Sequence, residues 1–254
     1  MHQYNMINLF LFTSLTLAIG SLLNVVIIRL PVMLQSNCNY NLFWPRSFCP
    51  DCQTQIKAIH NLPVISFFWL HRQCHACKHA ISWRYPIVEL LSCIASYITL
   101  WHFGWNLYLI CSLIFIWFMI AIIVIDYEHQ LIPDSLALSL LWIGLFINTH
   151  NVFTDSSSAI VGAITAYGFL WIFIKLFYLI TGKIGMGHGD FKLFAALGAW
   201  FGVNTLPMLL FLAALSGAIG GFLWLRLQHK PLDTRIPFGP FLCLSGITCL
   251  FFYF

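Results

Sequence analysis

Charge is what this sequence has least of. Asp, Glu, Lys and Arg make up 8% of its 254 residues, against 60% hydrophobic and 17% aromatic, whereas a soluble domain carries about a quarter of its residues as charges. An ordinary soluble fold is therefore excluded. The period-two alternation of barrel strands is also missing, and open strands leave unsatisfied backbone groups in lipid, so helices are the spanning elements this pattern allows. No basic stretch precedes the first apolar run in "MHQYN", so that run reads as a retained anchor and not as a cleavable signal peptide. A G-x-x-x-x-G-K-[ST] loop and a dinucleotide-type glycine fingerprint are absent as well. The net charge of +4 then describes topology and does not point to nucleic acid.

What is present is a series of apolar segments at 7–29, 86–103, 107–125, 132–149, 157–182, 191–205, 207–226 and 237–254. Runs of about 17 to 25 such residues span a bilayer. The expectation is an all-α polytopic membrane protein with about eight transmembrane helices; 191–205 is the shortest segment, which leaves seven open. Basic residues gather after segments 1, 3, 5 and 7 (Arg46, Lys57, Arg72, Lys78, Arg84, Lys183, Lys230), with Arg29, Lys192, Arg226 and Arg235 at the edges. The opposite loops hold none. Retention of positive charge in the cytoplasm puts the basic loops there and the N-terminus outside. Lys175 alone falls inside a segment, in the half from which it can snorkel to the basic side.

Residues 31–85 break the apolar pattern and carry two C-x-x-C pairs, Cys49 with Cys52 and Cys74 with Cys77. Four thiolates at this spacing match a structural zinc site, closed to water and therefore not hydrolytic. The competing reading is two disulfides, which a reducing cytoplasm disfavours. His60, His71, His75 and His79 are alternative ligands that read more simply as surface groups. Cys38, Cys93, Cys111, Cys243 and Cys249 read as small core hydrophobes.

The acidic residues number eight: Asp51, Glu89, Asp126, Glu128, Asp134, Asp155, Asp190 and Asp233. Asp126 ends the third segment in "AIIVIDYEHQLIPD" and Asp190 precedes the sixth in "GMGHGDFKLFAALGAW", so the topology brings both to one face of the membrane. Ionisable groups at such depth are functional hypotheses. Two carboxylates brought together divide acid and base roles, the arrangement by which aspartic proteases hydrolyse a peptide without a covalent intermediate. Gly185, Gly187 and Gly189 would let a substrate backbone approach. Simpler roles are expected for others: Asp134 as N-cap of the fourth segment, Glu128 and His129 as loop groups, Glu89 as partner of Arg84 or another cation, and Lys192 as counter-charge to Asp190 or a headgroup anchor.

These stretches together resemble the type IV prepilin leader peptidases, membrane aspartic endopeptidases of pilus and type II secretion systems. "GSLLNVVIIRLP" is similar to the family's first-span signature, and "CPDC…NLPVISFFWL…CHAC" with "ISWRYPIVE" to its cytoplasmic domain. "IDYEHQLIPD" and "GMGHGDFKLFAALGAW" resemble its two aspartate motifs, and "IPFGPFL" its last-span motif. The G-x-G-D of Gly187–Asp190 also resembles that of presenilin-like intramembrane proteases. The resemblance implies Asp126 and Asp190 as the catalytic pair. It implies cleavage of prepilin and pseudopilin leaders at the cytoplasmic face of the bacterial inner membrane. Because the cysteine domain is complete, it also implies N-methylation of the new terminus with S-adenosylmethionine, though no methyl-donor residue is identified.

The organisation expected is an anchor over 1–30, a four-cysteine zinc domain over 31–85 and a peptidase domain over 86–254. The alternative is a proton-coupled transporter with a regulatory zinc domain, using the same carboxylates. Transport favours charges at the midplane and an internal repeat, neither of which is seen. An assembly protein docking through the cysteine domain would leave the aspartates unexplained.

Overall fold

The computed structural model describes residues 6–35, 41–42, 44, 46–49, 51–56, 59, 62–182, 186–228, 231 and 236–254. Cys38, Lys57, His60, Lys183, Gly185, Lys230, Asp233 and Arg235, all named above, lie outside them. Regular structure among the described residues is helical apart from two isolated β-bridges. The helices are α1 (Met6–Gln35), α2 (Ile65–Trp69), α3 (Arg84–Phe103), α4 (Leu107–His129), α5 (Asp134–Asn148), α6 (Ser156–Thr181), α7 (His188–Phe201), α8 (Leu206–Leu227) and α9 (Gly239–Tyr253). Five are long and apolar enough to cross a membrane: Met6–Leu34, Arg84–Phe103, Leu107–His129, Ser156–Thr181 and Val203–Leu227, the last taking in the 3-10 turn before α8.

The other three apolar segments form shorter helices. α5, α7 and α9 have 15, 14 and 15 residues, a rise of about 21–23 Å against a hydrocarbon core of about 30 Å. For α7 the reason is burial: Phe191 and every residue from Leu193 to Phe201 lie inside the protein, so the lipid thickness does not set its length.

The chain divides into two compact units, Met1–Ala121 and Ile122–Phe254. In the first, α1 packs on α3, where a Cβ on Gly20 would come 2.7 Å from the Glu89 Cα. Only a hydrogen side chain permits that approach. Ser92 Oγ donates to the Thr16 carbonyl at 3.0 Å across the same seam, and Phe12, Leu100, Leu109 and Leu113 close an apolar cluster nearby.

In the second unit α7 is the core, packed by α5 and α6. Its run of small residues lets α6 come to backbone contact: a Cβ on Gly162 would fall 2.5 Å from the Gly198 carbonyl oxygen. Buried Asn148 then secures the C-terminus of α7. Its Nδ2 donates to the carbonyls of Ala199 (2.8 Å) and Trp200 (2.9 Å), while its Oδ1 accepts from the N–H of Phe153 (3.0 Å) and Thr154 (3.2 Å). Two of the helix's orphan carbonyls are thus satisfied without water. Trp200 Nε1 donates to the Leu140 carbonyl at 2.8 Å. Asp155 caps α6 by accepting from the Ser158 N–H at 2.8 Å, and the Ser157 hydroxyl with that N–H holds its carboxyl below the usual range.

Candidate active site and metal centre

Asp126 lies in the last turns of α4, 5% exposed. Its Oδ2 accepts a 3.0 Å hydrogen bond from the N–H of Gly239, the first residue of α9. This is the free donor end of a helix, where a carboxylate is favoured by both hydrogen bonding and the helix dipole. Asp190 stands in the first turn of α7, 9% exposed, and its carboxylate accepts from the backbone of Gly187, the residue that precedes the helix. Two helix N-termini therefore each hold one carboxylate. The two carboxylates are close enough to interact electrostatically with each other, and both with the fully buried Cys243. Residues separated by 64 positions in sequence are brought together, and all lie within one unit.

Ile132, in the connection between α4 and α5, locks this arrangement. A Cβ on Gly239 would lie 2.6 Å from Asp126 Oδ2 and 2.9 Å from Ile132 Cδ1; one on Gly189 would lie 2.8 Å from Ile132 Cβ. Gly189 is thus needed for contact with the protein itself. Gly187 differs, since a Cβ there would meet only Asp190 Oδ2 at 3.6 Å. Gly239→Ala is expected to lower the stability of the purified protein by about 1–3 kcal/mol through overpacking, whereas Gly187→Ala keeps the backbone donor and costs less than about 1 kcal/mol. Equal thermal melting of the two variants would refute this division.

Two expectations are corrected. Asp134 opens α5, but its side chain makes no cap; Pro133 occupies the capping position. Its Oδ2 instead accepts a 2.6 Å ion pair from Lys192 Nζ, so Lys192 neutralises Asp134 and not Asp190. A long-range cation outcompeted the local cap, and the pair ties the stretch around Asp134 to α7. Glu89 likewise forms no ion pair with Arg84 among the described residues; it accepts from the Val64 N–H at 2.7 Å. Glu128 and His129 sit 3.9 Å from each other at the end of α4. Gly239 is the residue that sequence reasoning missed as part of the site. Its signal was a Gly-Pro step opening an apolar segment in "IPFGPFL", a step that marks a helix start.

The cysteine region builds its site from two matching knuckles. In the first, Cys49 N donates to Thr54 O (3.0 Å) and Gln53 N to Cys49 O (2.9 Å); in the second, Cys74 N donates to His79 O (2.8 Å) and Lys78 N to Cys74 O (3.0 Å). Both carry a positive φ at the same point, Gln53 at 58° and Lys78 at 61°, and each is closed by a bridge, Phe48 to Gln55 and Gln73 to Ala80. The four sulfurs lie within 4.8 Å of one another. Cys49 and Cys77 are 3.8 Å apart and Cys52 and Cys74 4.0 Å, far longer than a disulfide. Thiolates at ~2.3 Å around one ion form a tetrahedron with edges of about 3.8 Å, so the geometry fits zinc.

Hydrogen bonding to Thr54 draws Cys52 down to about 6, and the backbone of Cys77 and Ala76 lowers Cys74. Although the His79 backbone favours the Cys77 thiolate, desolvation and the neighbouring sulfurs push that thiol up to about 12. His71, His75 and His79 are not in the cluster; His79 faces Asp51 at 3.5 Å. Cys111, Cys243 and Cys249 are buried as expected, and Cys93 half-buried.

Among known proteins, the model of the bacterial Peptidase A24 N-terminal domain matches residues 15–103, and that of the type IV leader peptidase family residues 113–222. A protein of Legionella pneumophila named prepilin leader peptidase/N-methyltransferase is 47% identical over 253 residues, covering 93% of this chain and 88% of the relative. Proteins of the same name from Stutzerimonas stutzeri and Pseudomonas aeruginosa are 44% and 43% identical, covering 93% and 91% of this chain and 88% and 86% of theirs. No solved structure matches the chain.

Proposed function

The chain belongs to the prepilin leader peptidase/N-methyltransferase family, and from that membership we propose how its residues divide the two activities. It is a membrane enzyme that removes leader peptides from prepilins and methylates the exposed amine. Asp126 and Asp190 carry the hydrolysis. The observation that supports them is the meeting of two buried carboxylates, each held by the first N–H groups of a helix. One carboxylate takes a proton from a water as that water attacks the scissile carbonyl; the other, protonated, hydrogen-bonds the carbonyl oxygen and a proton then passes to the departing amine. No residue becomes acylated. Buried side chains around the pair exclude competing water.

The finer assignments rest on the same reading. The apolar helices form about eight spans of the bacterial inner membrane, with both aspartates and the cysteine domain on the cytoplasmic side, where the basic loops lie. Residues 1–30 anchor the chain, 31–85 form the metal domain and 86–254 the peptidase. Prepilins and type II secretion pseudopilins fit as substrates because a soluble leader and an apolar helix meet at that surface. Cys49, Cys52, Cys74 and Cys77 would hold a structural zinc, which supplies folding energy to its domain and no Lewis acid to the reaction. S-adenosylmethionine would supply the methyl group.

The test is to incubate purified protein in detergent with a prepilin-like substrate and S-adenosylmethionine, and to weigh the products by mass spectrometry. Loss of the leader followed by one methyl increment is the expected result. An intact substrate in the presence of folded enzyme would overturn the assignment.

A further inference from the structure

A cavity of about 650 Å³ lies in the unit that contains the cysteine domain, bounded by α1, the start of α3 and the knuckle loops. This size suits a drug-sized ligand. Two polar groups on its wall are incompletely served. Asn24 on α1 is 2% exposed; its Nδ2 donates to Tyr85 O (3.0 Å) and Gly20 O (3.4 Å), while its Oδ1 is buried without a partner. Glu89 on α3, 7% exposed, accepts from Val64 N–H and from Ser21, yet no cation among the described residues pairs with it. A carboxylate has about four acceptor sites, and a buried charge without a counter-charge is costly.

We propose that this cavity binds the methyl donor, a sulfonium nucleoside of the S-adenosylmethionine class, with Glu89 as counter-charge to a cationic group of the ligand and Asn24 Oδ1 as acceptor for one of its N–H donors. The inference rests on the reading that the chain methylates. A ligand carrying positive charge and N–H donors on a body of nucleoside size answers both deficits at once. Arg29 and Arg84 also line the wall, Arg29 donating to the Asn41 carbonyl and Arg84 lying over the Tyr85 ring. In the transfer, the substrate amine's lone pair forms the new N–C bond as the C–S bond breaks; that electron pair stays on sulfur, and the positive charge passes to the methylated ammonium. Cys49 and Cys74 line the same wall, which links the metal domain to donor binding: the knuckles close the cavity.

Binding of S-adenosylmethionine to the full chain in detergent tests this by calorimetry, without reference to turnover. Glu89→Gln, which keeps an acceptor for the Val64 N–H, and Asn24→Leu are each expected to weaken binding by about tenfold or more. Ile28→Trp, from the α1 wall of the cavity, should abolish it. All three should cleave leaders at the unaltered rate, which also reports that they fold. Ultraviolet cross-linking of labelled S-adenosylmethionine to the unaltered protein needs no substitution, and the label is expected on peptides from α1, the knuckles or the start of α3. Full binding by every folded variant, or label confined to residues 122–254, overturns the location. Absence of both binding and methylation by a protein that cleaves leaders overturns instead the reading that the chain is a methyltransferase, and the location with it.

Discussion

Asp126→Asn and Asp190→Asn are each expected to reduce leader cleavage by about a thousandfold or more, in protein that still inserts and melts like the parent. Asparagine matches aspartate in size and keeps a carbonyl-type oxygen. At position 126 that oxygen can still accept from the Gly239 N–H, and at 190 from Gly187, so both helix N-termini stay satisfied and the fold survives. What the amide cannot do is take a proton from water or deliver one to the leaving amine. The loss should therefore appear in kcat, with little change in substrate binding. Asp134→Asn is the control. It removes the ion pair with Lys192, whose two side chains are 25% and 59% exposed, an interaction worth no more than about 1 kcal/mol at such exposure. Most activity should remain. Rates of cleavage by purified variants decide the matter, and substantial processing by either the 126 or the 190 variant would sink the assignment.

The helices and the candidate site were not equally legible. Long apolar runs and their breaks located all eight of the larger helices, because the bilayer and the protein interior both select the same residues. That shared chemistry also concealed α7. Its "FKLFAALGAWF" reads like any other span, and only the packing of Gly162 on Gly198 and of Asn148 on the last carbonyls shows a helix enclosed by protein. The cysteine tetrad was legible since ligand spacing is written in residue letters. Asp126 and Asp190 stood out because so few acids interrupt the hydrocarbon. Gly239 did not, since its contribution is a backbone N–H, which every residue but proline possesses. The pair of Asp134 with Lys192 spans 58 positions, and local reasoning favoured the cap beside it. Asn24 sits inside the apolar segment "SLLNVVII", where an amide reads as a tolerated polar residue until its unpartnered oxygen is seen on a cavity wall.

Removal of the metal should be the most damaging change outside the peptidase site. Between Phe48 and Ile81 the regular structure among the described residues is chiefly two isolated bridges and the five-residue α2, and Cys49 and Phe67 are the buried apolar residues described there. So small a core cannot offset the entropy of ordering some thirty residues at about 1–2 kcal/mol each. Structural zinc sites contribute about 10–16 kcal/mol in apparent binding energy, as large as the whole stability of a typical domain. Gently purified protein is therefore expected to contain one zinc per chain by elemental analysis, with the thiols of Cys49, Cys52, Cys74 and Cys77 all free after denaturation. Replacing any one of Cys49, Cys52, Cys74 and Cys77 with serine, or stripping the ion with a strong chelator, should open both knuckles together, because each sulfur pair joins one knuckle to the other. Protease sites within residues 48–81 should become accessible and amide protection there should vanish. Methylation and stability should fail before cleavage, since the aspartates do not ligate the ion and both residues belong to the other unit. Metal-free protein with fully protected knuckles would show that the four cysteines hold their geometry by packing alone, and a disulfide between any two of them would remove the site altogether.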